Sequence, residues 1–246
     1  MAVVHVFAHF DDEYCALPLI RERARAGVDQ WFFYVADYAT ADLAARRLGE
    51  TRALLAHLGL DPERAVALDC GVMDGALHRD LPRAHAALAE RVAALGPVER
   101  LVCTAWEGGH PDHDLCAAVA VRLGRDLAGA PGVDQISLYH GRNLPSPWFA
   151  ACDPIPENGS VQAVAVTWRD WLGYAAAVRF HRSQWKTWAG LWPAMFAGFA
   201  RRGFAYQTLA PERVRARPHP GPLLYERRFG VTYATVRAAA DQLLDC

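Results

Sequence analysis

Short apolar runs alternate with helical segments over the first 145 residues, and this alternation limits the possible folds more than any other feature. The first run, residues 3–8, is mostly apolar, which is typical of a strand buried on both faces. Strands separated by helices of this length favour right-handed crossovers and a mainly parallel sheet. We therefore predict an α/β, Rossmann-like fold with helices on both faces of the sheet. The predicted strands are 3–8, 31–36, 65–68, 101–105 and 135–139, and the predicted helices are 12–26, 40–58, 82–95 and 114–127.

The pattern changes after about residue 145, where Pro and Gly become frequent. We interpret the chain as one domain over residues 1–246, with a core of about 1–145 and a C-terminal extension of about 146–246. The extension should contain helices and strands. Its predicted elements are a strand at 161–166, one helix over 167–186, a basic loop at 211–222 and a strand at 223–227.

Composition indicates an ordinary globular protein, since 52% of the 246 residues are hydrophobic and 22% are charged. The formal net charge of −1 does not favour nucleic acid or an anionic membrane as a partner. No apolar stretch reads as a transmembrane segment, and the N-terminus does not read as a signal peptide. We expect a cytoplasmic protein with reduced cysteines, because none of the six forms a C-x-x-C pair. The cysteines are Cys15, Cys70, Cys103, Cys116, Cys152 and Cys246.

Two polar motifs follow predicted strands at the point where each strand ends. Residues 9–13 (H-F-D-D-E) follow the first strand, and residues 110–114 (H-P-D-H-D) follow the strand at 101–105. In open parallel sheets, ligand sites form beyond the carboxyl ends of the strands. Pro111 suits the first turn of a helix, which would place His110 and His113 within reach of a common point. We expect the two motifs to meet in one cleft.

Imidazole and carboxylate ligands together suit zinc, and three protein ligands with an open position are typical of a catalytic site. A further carboxylate that does not bind the metal can act as a general base. Each motif also has a structural interpretation when taken alone, as an acidic helix start or a capped turn. Two such motifs at two strand ends of one domain favour the metal site.

These residues resemble the LmbE-like, or PIG-L, family of zinc-dependent N-deacetylases. The family signatures A-H-P-D-D-E and H-P-D-H correspond here to residues 8–13 and 110–113. Weaker points of likeness are an R-x-x-E helix at Arg47, a D-G pair at Asp74 and an S-Q pair at Ser183.

The resemblance implies a hydrolase that removes an acyl group from the nitrogen of an amino sugar, such as an N-acetylglucosamine derivative, or a glycoconjugate. It implies a bound Zn²⁺ and a small-molecule substrate. Arg47 and Asp74 also have an ordinary interpretation, as part of a helix-surface pair and of a turn. The implied roles are metal binding by His9, Asp12 and His113, general base catalysis by Asp11, assistance to the tetrahedral intermediate by His110, and substrate contact by Arg47 and Asp74.

The chain departs from the family pattern at two positions. Phe10 replaces the usual proline of the first motif, and Gly108 stands where some relatives have a tyrosine that helps to hold the oxyanion. We expect that task to fall to the metal and His110. The Trp- and Phe-rich segment 185–199 has three open interpretations: core or the underside of a lid, a sugar-binding platform, or a homo-oligomer interface.

Three other functions compete with deacetylation. A metal-dependent sugar-binding protein without catalysis would use the same ligands, but it would not need Asp11. Another small-amide hydrolase would use the same chemistry on a different substrate. A nucleotide-binding enzyme is disfavoured because no G-x-G-x-x-G motif follows residues 3–8.

Overall fold

The computed structural model describes residues 1–245, which form a mixed seven-stranded sheet with helices on both faces. The predicted α/β class is confirmed. Five strands form the parallel part of the sheet, and two further strands pair antiparallel at one edge. In sheet order, the strands are β3 (Ala65–Ala67), β2 (Asp29–Tyr34), β1 (Ala2–Phe7), β4 (Val98–Thr104), β5 (Gly132–Ile136), β9 (Phe204–Thr208) and β8 (Val161–Val164); β6 (Tyr139–His140) and β7 (Ala150–Ala151) form a separate small hairpin.

The direction of winding reverses between β1 and β4. From β1 the chain moves outward through β2 to β3, then returns to β4 on the other side of β1 and continues to β5. Crossovers on the two sides of this point diverge, so a crevice opens beyond the carboxyl ends of β1 and β4. Both sequence motifs begin there, because residues 9–13 follow β1 and residues 110–114 follow β4.

Side-chain alternation along β1 divides the core into two layers. Val4 and Val6 contact one layer of buried residues, while Val3 and Phe7 contact the other. The first layer contains α3 (Leu81–Ala93), α4 (Pro111–Asp126) and α8 (Tyr233–Asp245); the second contains α1 (Leu17–Arg25), α2 (Ala41–His57), α5 (Trp168–Ala177) and α6 (Trp185–Arg202).

The single helix predicted over residues 167–186 is wrong. It is two helices, α5 and α6, separated by short 3-10 turns. Glu50 on α2 explains the break, since its carboxylate accepts hydrogen bonds from the backbone N–H and the hydroxyl of Ser183 at 2.8 and 2.6 Å. These long-range contacts fix a turn where the local pattern favours a helix.

The strand predicted at 223–227 is also wrong, because this segment is the short helix α7 (Leu224–Arg228). The Glu226 carboxylate caps its start by accepting the N–H of Leu223 at 2.8 Å. Strand β9 and helix α8 were not predicted. The five cysteines among the described residues are free and buried, and Cys246 lies outside those residues. Within residues 1–245, no helix is long and apolar enough to cross a membrane.

Candidate metal and catalytic site

The first motif leaves β1 through an unusual turn. Asp11 has φ 115° and ψ −13°, a left-handed conformation that L-residues with a side chain rarely adopt. Its backbone N–H donates to Oε2 of Glu13 at 3.0 Å, and Glu13 is fully buried. This turn brings the side chains of Asp11 and Asp12 into the crevice.

The second motif begins α4. His110 is the N-cap residue, and its Nδ1 accepts the N–H of Asp112 at 3.2 Å. Burial and the nearby imidazoles of His9 and His113 lower the pKa of His110 to about 3, so its ring is neutral. Because the neutral ring accepts a hydrogen bond at Nδ1, its proton is on Nε2. The tautomer is thus assigned from this hydrogen bond.

Three potential ligand atoms form a compact triangle between the motifs. His9 Nδ1 lies 3.3 Å from His113 Nε2, which lies 3.2 Å from Asp12 Oδ1. The other oxygen of Asp12, Oδ2, lies 3.8 Å from His9 Nδ1. Atoms bound tetrahedrally to one zinc ion at about 2.0–2.1 Å are about 3.4 Å apart. The donor types and their spacing therefore fit such an ion.

Asp12 is held in place by the chain that precedes it. Its Oδ2 accepts the backbone N–H groups of Ala8 and His9 at 3.0 and 2.9 Å, while Oδ1 faces His113. Although burial opposes ionisation, the imidazoles of His113 and His9 hold the pKa of Asp12 far below its usual range. Asp12 is thus an ionised carboxylate with one oxygen directed at the triangle.

A second set of carboxylates lies behind His9. His9 Nε2 is 3.0 Å from Asp74 Oδ1 and 3.4 Å from Asp112 Oδ2. Asp112 is itself fixed by the N–H groups of Gly75 and Leu77, at 2.6 and 3.2 Å. Carboxylates placed in this way orient a histidine so that its other nitrogen faces a metal.

His110 offers another possible ligand. Its ligand atom and those of His9 and His113 all lie within 4.8 Å of one another. Two ligand sets are therefore possible, and both contain His9 and His113. The geometry allows either Asp12 or His110 as the third ligand.

The triangle forms part of the wall of a cleft of about 290 Å³. Asp11 lines this cleft, and burial together with the charges of Asp12 and Glu13 raises the pKa of its carboxyl well above the usual range. The guanidinium of Arg47 lies 4.6 Å from the centre of the Tyr38 ring. The structure places all seven residues singled out in the sequence around the one cleft: His9, Asp11, Asp12, Arg47, Asp74, His110 and His113.

The other half of the cleft wall consists of residues outside the seven predicted site residues. Gln184 belongs to the S-Q pair of the family likeness, and its amide donates to the carbonyl oxygen of Phe10. Trp188 lies in the Trp-rich segment, and the remaining positions carry no sequence signal that points to a site. The residues are Leu138, Tyr139, Gln184, Thr187, Trp188, Leu191 and Phe229.

The two departures from the family pattern have structural reasons. The N–H of Phe10 donates to the Tyr38 hydroxyl at 2.9 Å, a bond that proline could not make, and its ring packs 4.6 Å from that of Tyr34. Gly108 has φ 77°, and a Cβ there would lie 2.7 Å from Leu223 Cδ2. A side chain at position 108 would therefore require a strained backbone and a shift of Leu223. Tyr139 instead brings a phenol to the cleft, with its ring 5.6 Å from that of His113.

The part of the chain that carries both motifs matches a known family. Residues 4–123 match the model of the PIG-L family, described as GlcNAc-PI de-N-acetylase. No curated protein matches the chain. The zinc-inhibited form of teicoplanin deacetylase is 14% identical with a TM-score of 0.62, and the match covers 85% of this chain and 98% of that one. N,N′-diacetylchitobiose deacetylase from Pyrococcus horikoshii is 16% identical with a TM-score of 0.60, covering 89% and 87%.

The fold also carries a different activity. The 4-carboxy-2-hydroxymuconate hydratase GalB from Pseudomonas putida is 17% identical with a TM-score of 0.56, covering 85% of this chain and 94% of that one. Structural likeness at these identities shows the fold alone, so the chemistry must be argued from the site. Residues 4–123, which contain both motifs, match the PIG-L family, and the solved deacetylases share the fold of most of the chain.

Proposed function

We propose that this protein is a zinc-dependent N-deacetylase that hydrolyses the amide of an N-acylated amino sugar or glycoconjugate. One observation carries the proposal: a triangle of two imidazole nitrogens and a carboxylate shares its cleft with a further buried carboxylate, Asp11. A binding site for a sugar and a metal needs the triangle but not Asp11. Hydrolysis of an amide needs both.

The ligands in this proposal are His9, Asp12 and His113. His110 is the less suitable third ligand, because its Nδ1 accepts the N–H of Asp112 and its Nε2 then carries a proton. A metal binds only an unprotonated nitrogen. When bound at such a site, zinc polarises the amide carbonyl and lowers the pKa of water.

Asp11 is the general base in this mechanism. Its raised pKa brings the carboxyl nearer to neutrality, where a base accepts a proton in the transition state most effectively. The turn at φ 115° fixes the direction in which the carboxylate enters the cleft. The attacking water loses a proton to Asp11, which then passes it toward the leaving amine.

His110 serves the intermediate as a neutral hydrogen-bond donor. Its Nε2–H is free to donate to the oxyanion that develops on the amide carbonyl, since Nδ1 is already engaged. Hydrogen-bond donation by His110 matters more here than in relatives with a tyrosine at the position of Gly108, because that tyrosine also helps to hold the oxyanion.

In this proposal, Arg47 and Asp74 both contact the sugar. Arg47 lines the cleft, and its Nε has no hydrogen-bond partner among the described residues. Asp74 already lies 3.0 Å from His9 Nε2. Its first task is therefore to orient the metal ligand, with substrate contact as an additional one.

The test combines metal analysis with product detection. Purified protein is stripped with a chelator and reloaded with zinc in stoichiometric steps, because the related teicoplanin deacetylase has a zinc-inhibited form. Acetate and free amine are then measured over a panel of N-acetylated and longer N-acylated glucosamine derivatives and simple amides. We expect acetate release that requires about one zinc per chain. Binding of a sugar by metal-loaded protein with no product from any member of the panel would contradict the proposal and favour a sugar-binding protein.

A further inference from the structure

The segment from the start of α5 to the end of α6, with the turns between them, carries a positive charge that the net charge of the whole chain conceals. Residues 168–202 contain six basic residues and one acidic residue, a net charge of +5 in a chain whose formal net charge is −1. The one acid, Asp170, is buried and lies 2.7 Å from Arg25 Nη2. It therefore does not offset the exposed cations.

The cations of this segment are mostly unpaired. Arg202 lies 3.0 Å from Asp153. Within residues 1–245, the other five basic side chains have no carboxylate at ion-pair distance. These five, all exposed, are Arg169, Arg179, Arg182, Lys186 and Arg201.

Large apolar side chains are exposed among these cations. Trp168, Leu172 and Trp185 are 68%, 51% and 64% exposed. Each tryptophan lies beneath the cation next to it in sequence: the Arg169 guanidinium is 5.3 Å from the Trp168 ring centre, and Lys186 Nζ is 5.9 Å from that of Trp185. Exposed aromatic rings of this size are uncommon on a surface that meets only water.

The solvent side of α6 is uncharged along most of its length. No charged residue lies between Lys186 and Arg201. Small or apolar residues occupy the exposed positions of this stretch other than Thr187, at Ala189, Gly190, Pro193, Ala197 and Ala200.

Two apolar grooves lie beside these helices, one near each end of α6. One, of about 320 Å³, lies between the end of α5 and the start of α6 and is lined by Val178, Trp185 and Pro193. The other, of about 310 Å³, lies at the opposite ends and is lined by Trp168 and Phe199. We call the exposed sides of α5 and α6, with these grooves, the α5–α6 face.

We propose that the α5–α6 face docks on an anionic lipid surface. Tryptophan prefers the boundary between headgroups and acyl chains, and the uncharged side of α6 can enter that boundary without burying a charge. Basic residues near an anionic bilayer each add to the attraction. Unpaired cations, exposed tryptophans and an uncharged stretch of α6 are together complementary to such a surface.

A second copy of the chain is a poorer occupant. A two-fold dimer pairs the same patch of both subunits, so it would bring a net charge of +5 against its equal. Repulsion between the two positively charged patches opposes their association.

Docking would also place the candidate cleft at the lipid surface. Thr187, Trp188 and Leu191 line the cleft from α6, and Trp188 also lines the groove near Trp185. Resting on the proposed function, this arrangement implies an amphipathic glycoconjugate as substrate, with its sugar in the cleft and its apolar part in the lipid.

The test is flotation of the full-length protein with vesicles. Vesicles of phosphatidylcholine alone are compared with vesicles of equal parts phosphatidylcholine and phosphatidylglycerol, at low and high salt. We expect binding to the anionic vesicles only, weakened by salt, with a blue shift of tryptophan emission. The double variant Arg182→Glu/Lys186→Glu and the single variant Trp185→Ala should each bind at least tenfold more weakly. Arg91→Glu, an exposed charge reversal on α3 across the sheet, should bind as the wild type does.

Several results would overturn the proposal. These are equal binding to both vesicle types, equal binding by the charge-reversed variant, no binding at all, or binding to soluble polyglutamate as tight as to vesicles. A dimer detected by light scattering and dissociated by Trp185→Ala would assign the face to a second copy instead. Because Asp11→Asn should bind vesicles as the wild type does, failure of docking is distinguishable from failure of the deacetylase proposal.

Discussion

The carboxylate of Glu13 accepts a hydrogen bond of 3.0 Å from the backbone N–H of Asp11. Glu13 is the last residue of the first motif, yet it lines no part of the cleft. Its buried carboxylate stabilises a left-handed turn that by itself costs of order 1–3 kcal/mol. Glu13 is therefore a positioning residue for Asp11.

Replacing Glu13 tests this relationship. Glu13→Leu removes the acceptor, so Asp11 should lose its fixed direction, and kcat for acetate release should fall by about 10- to 100-fold. KM and zinc content should change little, because the ligands and the sugar contacts remain. Glu13→Gln keeps an oxygen at this position and should retain most of the activity. Equal losses in both variants would contradict the positioning role.

Asp112 is expected to control metal affinity although it is not a proposed ligand. It lies 3.4 Å from His9 Nε2 and is anchored by two backbone N–H groups. Asp112→Asn should weaken zinc binding by about 10- to 100-fold, since it removes the charge that orients His9. Competition with a chromophoric chelator measures this, with Asp80→Asn at the start of α3 as control. An unchanged affinity would show that Asp112 serves only the backbone around Gly75.

Acid should destabilise the protein through His5. This ring is fully buried, hydrogen-bonded to Gln30 Oε1 at 3.0 Å and stacked 4.4 Å from Phe32. Burial, with a smaller contribution from the charge of Arg23, lowers the pKa of His5 from 6.5 to about 3. The unfolded chain thus binds a proton before the folded one does as the pH falls. The stability contributed by neutral His5 is present above pH 6.5 and is lost between pH 6.5 and about 3.

The slope of this loss is measurable. One proton contributes about 1.4 kcal/mol of unfolding free energy per pH unit. Urea unfolding of the wild type and of His5→Phe over this interval should show a shallower dependence in the variant, by up to one proton. Parallel curves would mean that His5 does not titrate on unfolding.

A side chain at position 108 should destabilise the fold more than one at a glycine of similar φ with open space around it. Its positive φ already disfavours alanine, and the new Cβ would meet Leu223 Cδ2 at 2.7 Å. Gly96 provides a matched control, with φ 82° and open space around its Cβ position. Gly96→Ala should lower the unfolding free energy by about 1 kcal/mol, and Gly108→Ala by about 2–4 kcal/mol. A loss at position 108 no larger than at position 96 would contradict the packing explanation.

The positions of both motifs were predictable because the relevant information is local. A buried strand followed by polar ligand types identifies a strand end, and parallel strand ends meet at one edge. The break at Ser183 was not predictable, since it depends on Glu50, 133 residues away. The pairing of β9 with β5 and β8, like the contribution of Leu191 to the cleft, also arises only from long-range packing.

The charge of the whole chain does not show how charge is distributed along it. The net charge of −1 is the sum of +5 for residues 168–202 and −6 for the rest of the chain. The exposure of Trp185 is equally hidden, because the segment around it also supplies buried residues such as Trp188. Only the three-dimensional arrangement separates the two faces of α6.

In the proposed mechanism, Asp11 acts on water in a metal site that it does not help to form. The direct measurement is acetate release by Asp11→Asn reloaded with zinc, with the metal content of the same sample determined alongside. We predict zinc content equal to that of the wild type and turnover lower by about 10²- to 10⁴-fold, the usual contribution of a general base. Turnover equal to that of the wild type on a confirmed substrate, or loss of the zinc itself, would contradict the account.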